Sequence, residues 1–189
     1  MQLILASASP RRKELLGLFR IPFVIRAADI DETMDPAGDP REQVGAVSRR
    51  KALAVSREPG DVVIAADTIV VCDGHILGKP KTPEEAQAML TSLSGRDHQV
   101  MTGCTLLRDQ QVKTFTEVTD LHFRDLSEKE IRQYVASGEP MDKAGAYGIQ
   151  GGAALFCEKI RGDYYNVVGL PVCRLWEQLK TLAPEWMED

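Results

Sequence analysis

The run Val62-Val-Ile-Ala-Ala66, closed by Asp67, constrains this chain more than any other stretch. A short, unbroken series of apolar residues reads as a strand buried in a sheet. A carboxylate at its end cannot easily sit unpaired in that interior, because burying an isolated charge is costly. Asp67 is therefore expected at the carboxyl end of the strand beside a crevice, where open α/β sheets bind ligands. The competing reading makes it a turn cap. Thr68 either orients a ligand or continues the strand. Asp73-Gly74 is a tight-turn signal, so "DVVIAADTIVVCDGHILGKP" predicts a buried strand followed by a hairpin.

The flanking segments supply the rest of an α/β architecture. Residues 2–6 predict a second buried strand. Ser9 follows as a helix N-cap, Pro10 is the first helical residue, and Leu15, Leu16, Leu18 and Phe19 form the apolar face. A strand is expected near 22–28, a helix from Asp39-Pro40 to about Arg57, and another from Thr82-Pro83. Segments 98–108 and 112–124 alternate like an antiparallel pair, and Ser127-Glu-Lys-Glu130 is a capping box opening a helix to about Ser137. A glycine-rich loop over 145–152 leads to strands near 154–160 and 164–168, and a helix over 170–182 closes the chain. Helices alternate with strands first and hairpins come later, which predicts a mixed β-sheet flanked by helices. With 189 residues, 43% of them hydrophobic, the expectation is one domain spanning residues 1–189, with disorder confined to 183–189.

Several function classes are disfavoured. A net charge of −5 argues against broad nucleic-acid binding, which wants a basic face. No stretch approaches a membrane span, and the opening apolar run is shorter than that of a secretion signal, so a cytoplasmic protein is expected. Cys72, Cys104, Cys157 and Cys173 are scattered without metal-site or disulfide spacing and read as reduced core residues. His75, His98 and His122 read as surface or sheet positions. Neither a G-x-G-x-x-G after the first strand nor a Walker-type phosphate loop occurs.

Charge placement points instead to a phosphate ligand. Between Met1 and Ala28 five cations stand against Glu14 alone, whereas Asp29 to Glu42 holds six acids against Arg41. Arg11 and Arg12 fall at the second and third positions of the first helix, where the helix dipole opposes each by about 0.3–1 kcal/mol. An anion bound there by the free amides, the Ser7 and Ser9 hydroxyls and both guanidiniums would reverse that sign; two solvated arginines are the alternative. Lys51 lies in phase with Val44, Val47 and Val55, inside an apolar helical arc, so it either faces a cleft or packs its stem and snorkels. Lys79 lies with Lys81 in a rigid Gly-Lys-Pro-Lys turn, facing a ligand or plain solvent. Glu32, in "DIDET", is the best second carboxylate, although acid-rich loops are commonly just solvated. Glu32 and Asp67, with substrate phosphates and water, fit the usual way proteins hold Mg²⁺.

These residues are similar to those of the Maf family of nucleoside triphosphate pyrophosphatases. The resemblance runs from "LILASASPRRKELL" through "DIDET", "RRKALAV", "VVIAADTIVV", "ILGKPKTPEEAQAML", "LSGRDHQVMTG" and "FRDLSEKEIRQYVASGEPMDKAGAYGIQG" to "GDYYNVVGLP". It implies a two-lobed α/β fold around a central cleft, often a homodimer, and hydrolysis of a nucleoside triphosphate to monophosphate and pyrophosphate with a divalent cation, Mg²⁺ or Mn²⁺. By match to the family pattern Asp67 is the proton acceptor, and Arg11, Thr68 and Gln150 are associated with substrate choice. Ser9, Arg12, Glu32, Lys51 and Lys79 match the other polar residues of its cleft. "AGAYGIQG" and "GDYYNVVGLP" resemble the branch acting on dTTP and UTP, not the sister branch that takes 7-methyl-GTP. The chain departs from the pattern where Gln-Gly-x-Gly appears as Gln150-Gly151-Gly152-Ala153.

The chemistry of the bases agrees with this. Uracil and thymine present an N3–H donor beside the O4 acceptor, and the Gln150 amide can answer both; cytosine reverses the pattern. Gly145, Ala146 and Gly148 would let the backbone approach a base, or form an ordinary turn-rich loop. Two rival expectations stand beside the pyrophosphatase: a non-catalytic, nucleotide-binding regulator of septum formation, and an enzyme that removes modified or purine triphosphates.

Overall fold

The computed structural model describes residues 1–35 and 37–187. In chain order its elements are β1 (Leu3–Leu5), α1 (Pro10–Gly17), β2 (Phe23–Ile25), α2 (Pro40–Ala54), β3 (Val62–Cys72), β4 (His75–Leu77), α3 (Pro83–Leu93), β5 (Asp97–Arg108), β6 (Gln111–Phe123), α4 (Glu128–Ala136), β7 (Cys157–Arg161), α5 (Tyr164–Val168) and α6 (Val172–Leu182). The strands form one mixed sheet in the order β2-β1-β3-β5-β6-β7, with β4 on β3. β1 runs parallel to both β2 and β3, with Leu5 opposite Ile25 and Ile64. The β3–β4 and β6–β7 pairs are antiparallel. The expected mixed sheet flanked by helices is what forms.

The chain divides into two compact units: Met1–Asp67 with Thr102–Glu117 and Gly169–Asp189, and Thr68–Met101 with Val118–Val168. In the first unit, Ile4, Ala6, Ala52, Val55, Val63, Ala65 and Leu107 pack between the sheet and α2. α2 comes unusually close to β5: a Cβ on Gly103 would stand 2.4 Å from the Val44 carbonyl oxygen. A buried chain of hydroxyls sets their register, from Ser48 Oγ to Thr105 Oγ1 at 2.8 Å and on to Thr114 Oγ1 of β6 at 2.9 Å. In the second unit the core is aromatic, with His98, Phe123, Tyr134, Tyr147 and Phe156 meeting edge to face.

Capping chemistry places the helix starts where the sequence puts them. Ser9, Asp39, Thr82 and Ser127 each accept an amide of the first turn, and Ser127 and Glu130 complete a capping box. Ends are less legible. α1 stops at Gly17 and leaves Leu18 exposed, while Phe19 packs on Trp176 at 4.9 Å. α2 ends at Ala54, where Val55 turns extended.

Several expectations fail. Residues 164–168 form α5, not a strand. Asp67 lies inside β3 instead of at its end, because the strand continues to Cys72 and the carboxylate has a cationic partner. Pro184–Met187 form a 3-10 turn, anchored where Arg108 donates to the Leu182 carbonyl at 2.8 Å and to Glu185 Oε1 at 2.5 Å. The last two positions of the expected disordered tail, Glu188 and Asp189, lie outside the described residues. All four cysteines are present as thiols, but only Cys72 and Cys104 are buried; Cys157 is half-buried and Cys173 exposed. All three histidines do lie on strands.

Candidate active site

β1 ends at Leu5, and the Ala6 amide still reaches Ile64 O at 2.8 Å before the chain leaves the sheet. The loop that follows folds on its own hydroxyls. Ser9 N–H donates to Ser7 Oγ at 3.2 Å, and Ser9 Oγ accepts the Arg12 amide at 3.4 Å. Arg12 then bends back across the loop, donating from Nε to Gly169 O at 2.8 Å and from Nη1 to Ser7 Oγ at 3.3 Å. Burial, foremost, pushes the guanidinium below its ordinary pKa, and the like charge of Arg11 adds to this; the Asp67 charge opposes it most strongly, followed by Cys104 and Glu32. Arg12 therefore sits in a field shaped by both acids and by its neighbour Arg11.

Lys51 is delivered from the buried face of α2, where Val44, Val47 and Ser48 face inward. Its ammonium lies 2.6 Å from Asp67 Oδ1 and 2.9 Å from Glu32 Oε1. The side chains of Lys51 and Asp67 are only 11% and 12% exposed, whereas that of Glu32 is 51% exposed, so Lys51 joins an interior carboxylate to one open to solvent. The Glu32 loop is braced by Asp31, which accepts from the Thr33 amide at 2.9 Å, and by Arg50, which donates to Thr33 O at 3.3 Å. Three cations (Arg11, Arg12, Lys51) and two carboxylates (Glu32, Asp67) thus belong to one electrostatic cluster beyond the carboxyl end of β1. That is the position at which open α/β sheets bind ligands. Asp67 reaches it from the middle of a strand, because β1 ends while β3 continues.

The other expected residues belong to the second unit. Thr68 is half-buried next to Asp67, and Lys79 and Gln150 are exposed. Their two loops are joined by the Gly145 amide, which donates to Gly78 O at 3.0 Å beside Lys79. Gly145 has a positive φ of 68°, and a Cβ there would stand 2.8 Å from a Val70 methyl, so both conformation and space require glycine. Farther along, Gly151 N–H donates to Gly148 O at 3.1 Å, closing a turn with Ile149 buried and Gln150 exposed. Tyr147 is anchored by its hydroxyl on His98 Nε2 at 2.8 Å. Ala153, where the family pattern has glycine, is fully buried with an ordinary negative φ, so its methyl group strains nothing.

The donor set suits a hard divalent cation completed by its substrate. Among the described residues no group of three or more His, Cys, Asp or Glu side chains is arranged to hold a metal, so no closed protein cage is present. Two oxygen donors already converge on one positive charge, and Mg²⁺ commonly takes one or two carboxylates plus water and phosphates.

Sequence reasoning missed the supports of this cluster: Gly169 as acceptor for Arg12, Gly103 under α2, and the Ser48–Thr105–Thr114 hydroxyl chain. Gly103 carried a readable signal, since a lone glycine inside a strand often marks a close backbone approach.

A family model described as "Maf-like protein" matches residues 2–182. A dTTP/UTP pyrophosphatase of Geobacillus sp. (strain WCH70) is 54% identical over 183 residues, 96% of this chain and 98% of the relative. A dTTP/UTP pyrophosphatase of Symbiobacterium thermophilum is 54% identical over 179 residues, 94% of this chain and 92% of that one. Among solved structures, a HAM1 protein from Coxiella burnetii is 17% identical, covers 98% of this chain and 99% of its own, and superposes with a TM-score of 0.46.

Proposed function

We propose, from the premise that this chain belongs to the Maf family, that it hydrolyses dTTP and UTP, and related modified pyrimidine triphosphates, to the monophosphate and pyrophosphate. The observation that carries this reading is the Lys51 bridge between Asp67 and Glu32, beside Arg12. An excess of one positive charge in a partly buried site suits a polyanion, and a carboxylate held there is placed to take a proton.

Arg11, Arg12, Lys51 and Lys79 neutralise the triphosphate, and Ser9 with the amides at the start of α1 receives phosphoryl oxygens. Glu32 and Asp67 would hold Mg²⁺ or Mn²⁺, which when bound compensates phosphate charge and acidifies water. Asp67 orients a water and accepts its proton as the oxygen attacks the α-phosphorus. The bond from that phosphorus to the bridging oxygen breaks, and pyrophosphate leaves among the cations. Arg11, Thr68 and Gln150 govern substrate choice, with Gln150 answering N3–H and O4 of the base. The family match supports these roles.

The working form is a cytoplasmic homodimer, the dimer being what the family resemblance implies. Among the described residues no helix is long and apolar enough to cross a membrane, and four cysteines present as thiols suit a reducing compartment.

A coupled pyrophosphate assay tests the reaction. With dTTP the first product should be pyrophosphate and turnover should stop on chelation of divalent cations; orthophosphate as first product overturns attack at the α position. Asp67→Asn should lower kcat by roughly 10²–10⁴-fold while the fold persists by circular dichroism. Turnover near the parent rate would remove Asp67 as proton acceptor, and absence of any turnover in the parent protein would favour the regulator.

A further inference from the structure

Gln150 is carried by a turn whose two ends are held by one pair of side chains. Tyr134, on α4, accepts the Gly148 amide on its hydroxyl oxygen at 3.1 Å and donates that hydroxyl to Glu139 Oε1 at 2.9 Å. Glu139 takes the Gly152 amide on its other oxygen at 3.0 Å. The approach leaves no room for a side chain: a Cβ on Gly151 would stand 2.0 Å from Glu139 Oε1. Burial, and secondarily the neighbouring Glu139, push the Tyr134 phenol well above its ordinary pKa, which keeps it a donor.

The turn needs this support. Gly148, Gly151 and Gly152 confer large backbone freedom, and one bond from Gly151 to Gly148 closes the turn itself. Buried Ile149 anchors one side of Gln150, and the Glu139 carboxylate lies against the other. Hydrogen bonds to an ionised acceptor are about twice as strong as neutral ones, so Glu139 is an effective clamp for an amide. A base contact that discriminates through one donor and one acceptor depends on such fixed orientation.

We propose that Tyr134 and Glu139 are positioning residues for base selection. They hold the 148–152 turn so that the Gln150 amide is presented in one orientation, and preference for uracil-type bases over cytosine depends on them. The inference rests on Gln150 being the group that reads the base.

The test compares kcat/KM for dTTP, UTP and CTP in Tyr134→Phe, Glu139→Ala, Glu139→Gln, Gln150→Ala and the double variant Tyr134→Phe/Gln150→Ala. Tyr134→Phe and Glu139→Ala should reduce the UTP-to-CTP ratio about tenfold, mostly through KM for UTP, as expected for loss of one hydrogen-bonded constraint. Glu139→Gln, which can still accept the Gly152 amide, should recover much of the ratio. The double variant should be no less selective than Gln150→Ala alone, since both changes act on one contact. If Gln150→Ala flattens the ranking while Tyr134→Phe and Glu139→Ala leave it intact, the positioning role is overturned alone. If Gln150→Ala leaves the ranking unchanged, base reading by Gln150 falls and the positioning role with it. Equal losses on all three substrates would mark a merely structural network and also overturn the inference; Tyr134→Phe keeps the test open should Glu139→Ala not fold.

Discussion

Lys51 neutralises a carboxylate that the sheet interior would otherwise hold unpaired. Lys51→Met keeps the apolar stem and removes only the charge, so it isolates that effect. Asp67, 8% exposed, would lose its cationic partner at 2.6 Å, whereas Glu32 can turn to solvent. Stability should fall by about 2 kcal/mol, below the roughly 3–5 kcal/mol typical of breaking a fully buried pair, because Glu32 is already half in water. Chemical denaturation reads the first effect, and a KM for dTTP raised at least about tenfold reads the lost phosphate contact. An unchanged denaturation midpoint would show that Asp67 does not depend on the bridge. The phase of Lys51 within an apolar helix face was visible in the sequence. Its two partners, 19 residues before it and 16 after, were not, because nothing local records which loop and which strand meet a helix face.

The position of α2 depends on Gly103. The helix backbone comes so near β5 that a methyl group at this position would meet the Val44 carbonyl at 2.4 Å, and a peptide group cannot yield as a flexible side chain would. Gly103→Ala should therefore displace α2 and destabilise the protein by roughly 1–3 kcal/mol, the range for overpacking. Because Lys51 rides on α2, kcat/KM for dTTP should fall by more than the loss of folded protein accounts for. A parent-like Tm would show that the helix accommodates the methyl group. The same dependence on distant partners explains α5. Tyr164-Tyr-Asn-Val-Val168 is composed largely of strand-forming residues, yet Asp163 Oδ1 accepts the Tyr165 amide at 2.7 Å and starts a helical turn. Asn166 then donates to Val100 O at 3.0 Å and Thr119 Oγ1 at 2.9 Å, contacts that outweigh a preference of about 1 kcal/mol.

Stability of the whole protein should carry the mark of one buried ring. His98 is 3% exposed, and burial pulls its pKa down from 6.5 to about 4. The unfolded chain takes up that proton more readily than the folded one, so stability declines as pH drops below about 6.5 and the loss levels off below about 4, reaching up to roughly 3 kcal/mol. Urea midpoints measured between pH 7.5 and 4.5 should show this slope in the parent and not in His98→Gln; equal slopes would assign it to other groups. The chain by itself determined the helix starts, through Ser9, Asp39, Thr82 and Ser127, each of which acts on amides within three residues. It also determined the hairpin at Asp73-Gly74 and the alternation that makes the sheet mixed, because turn chemistry and hydrophobic period are local properties. Only the tertiary structure decided that β3 runs on past Asp67, that Lys51 joins this carboxylate to Glu32, and that Tyr134 and Glu139 hold the loop of Gln150. Those outcomes rest on groups far apart in the chain, whose meeting is favoured only once the surrounding core has formed and excluded water.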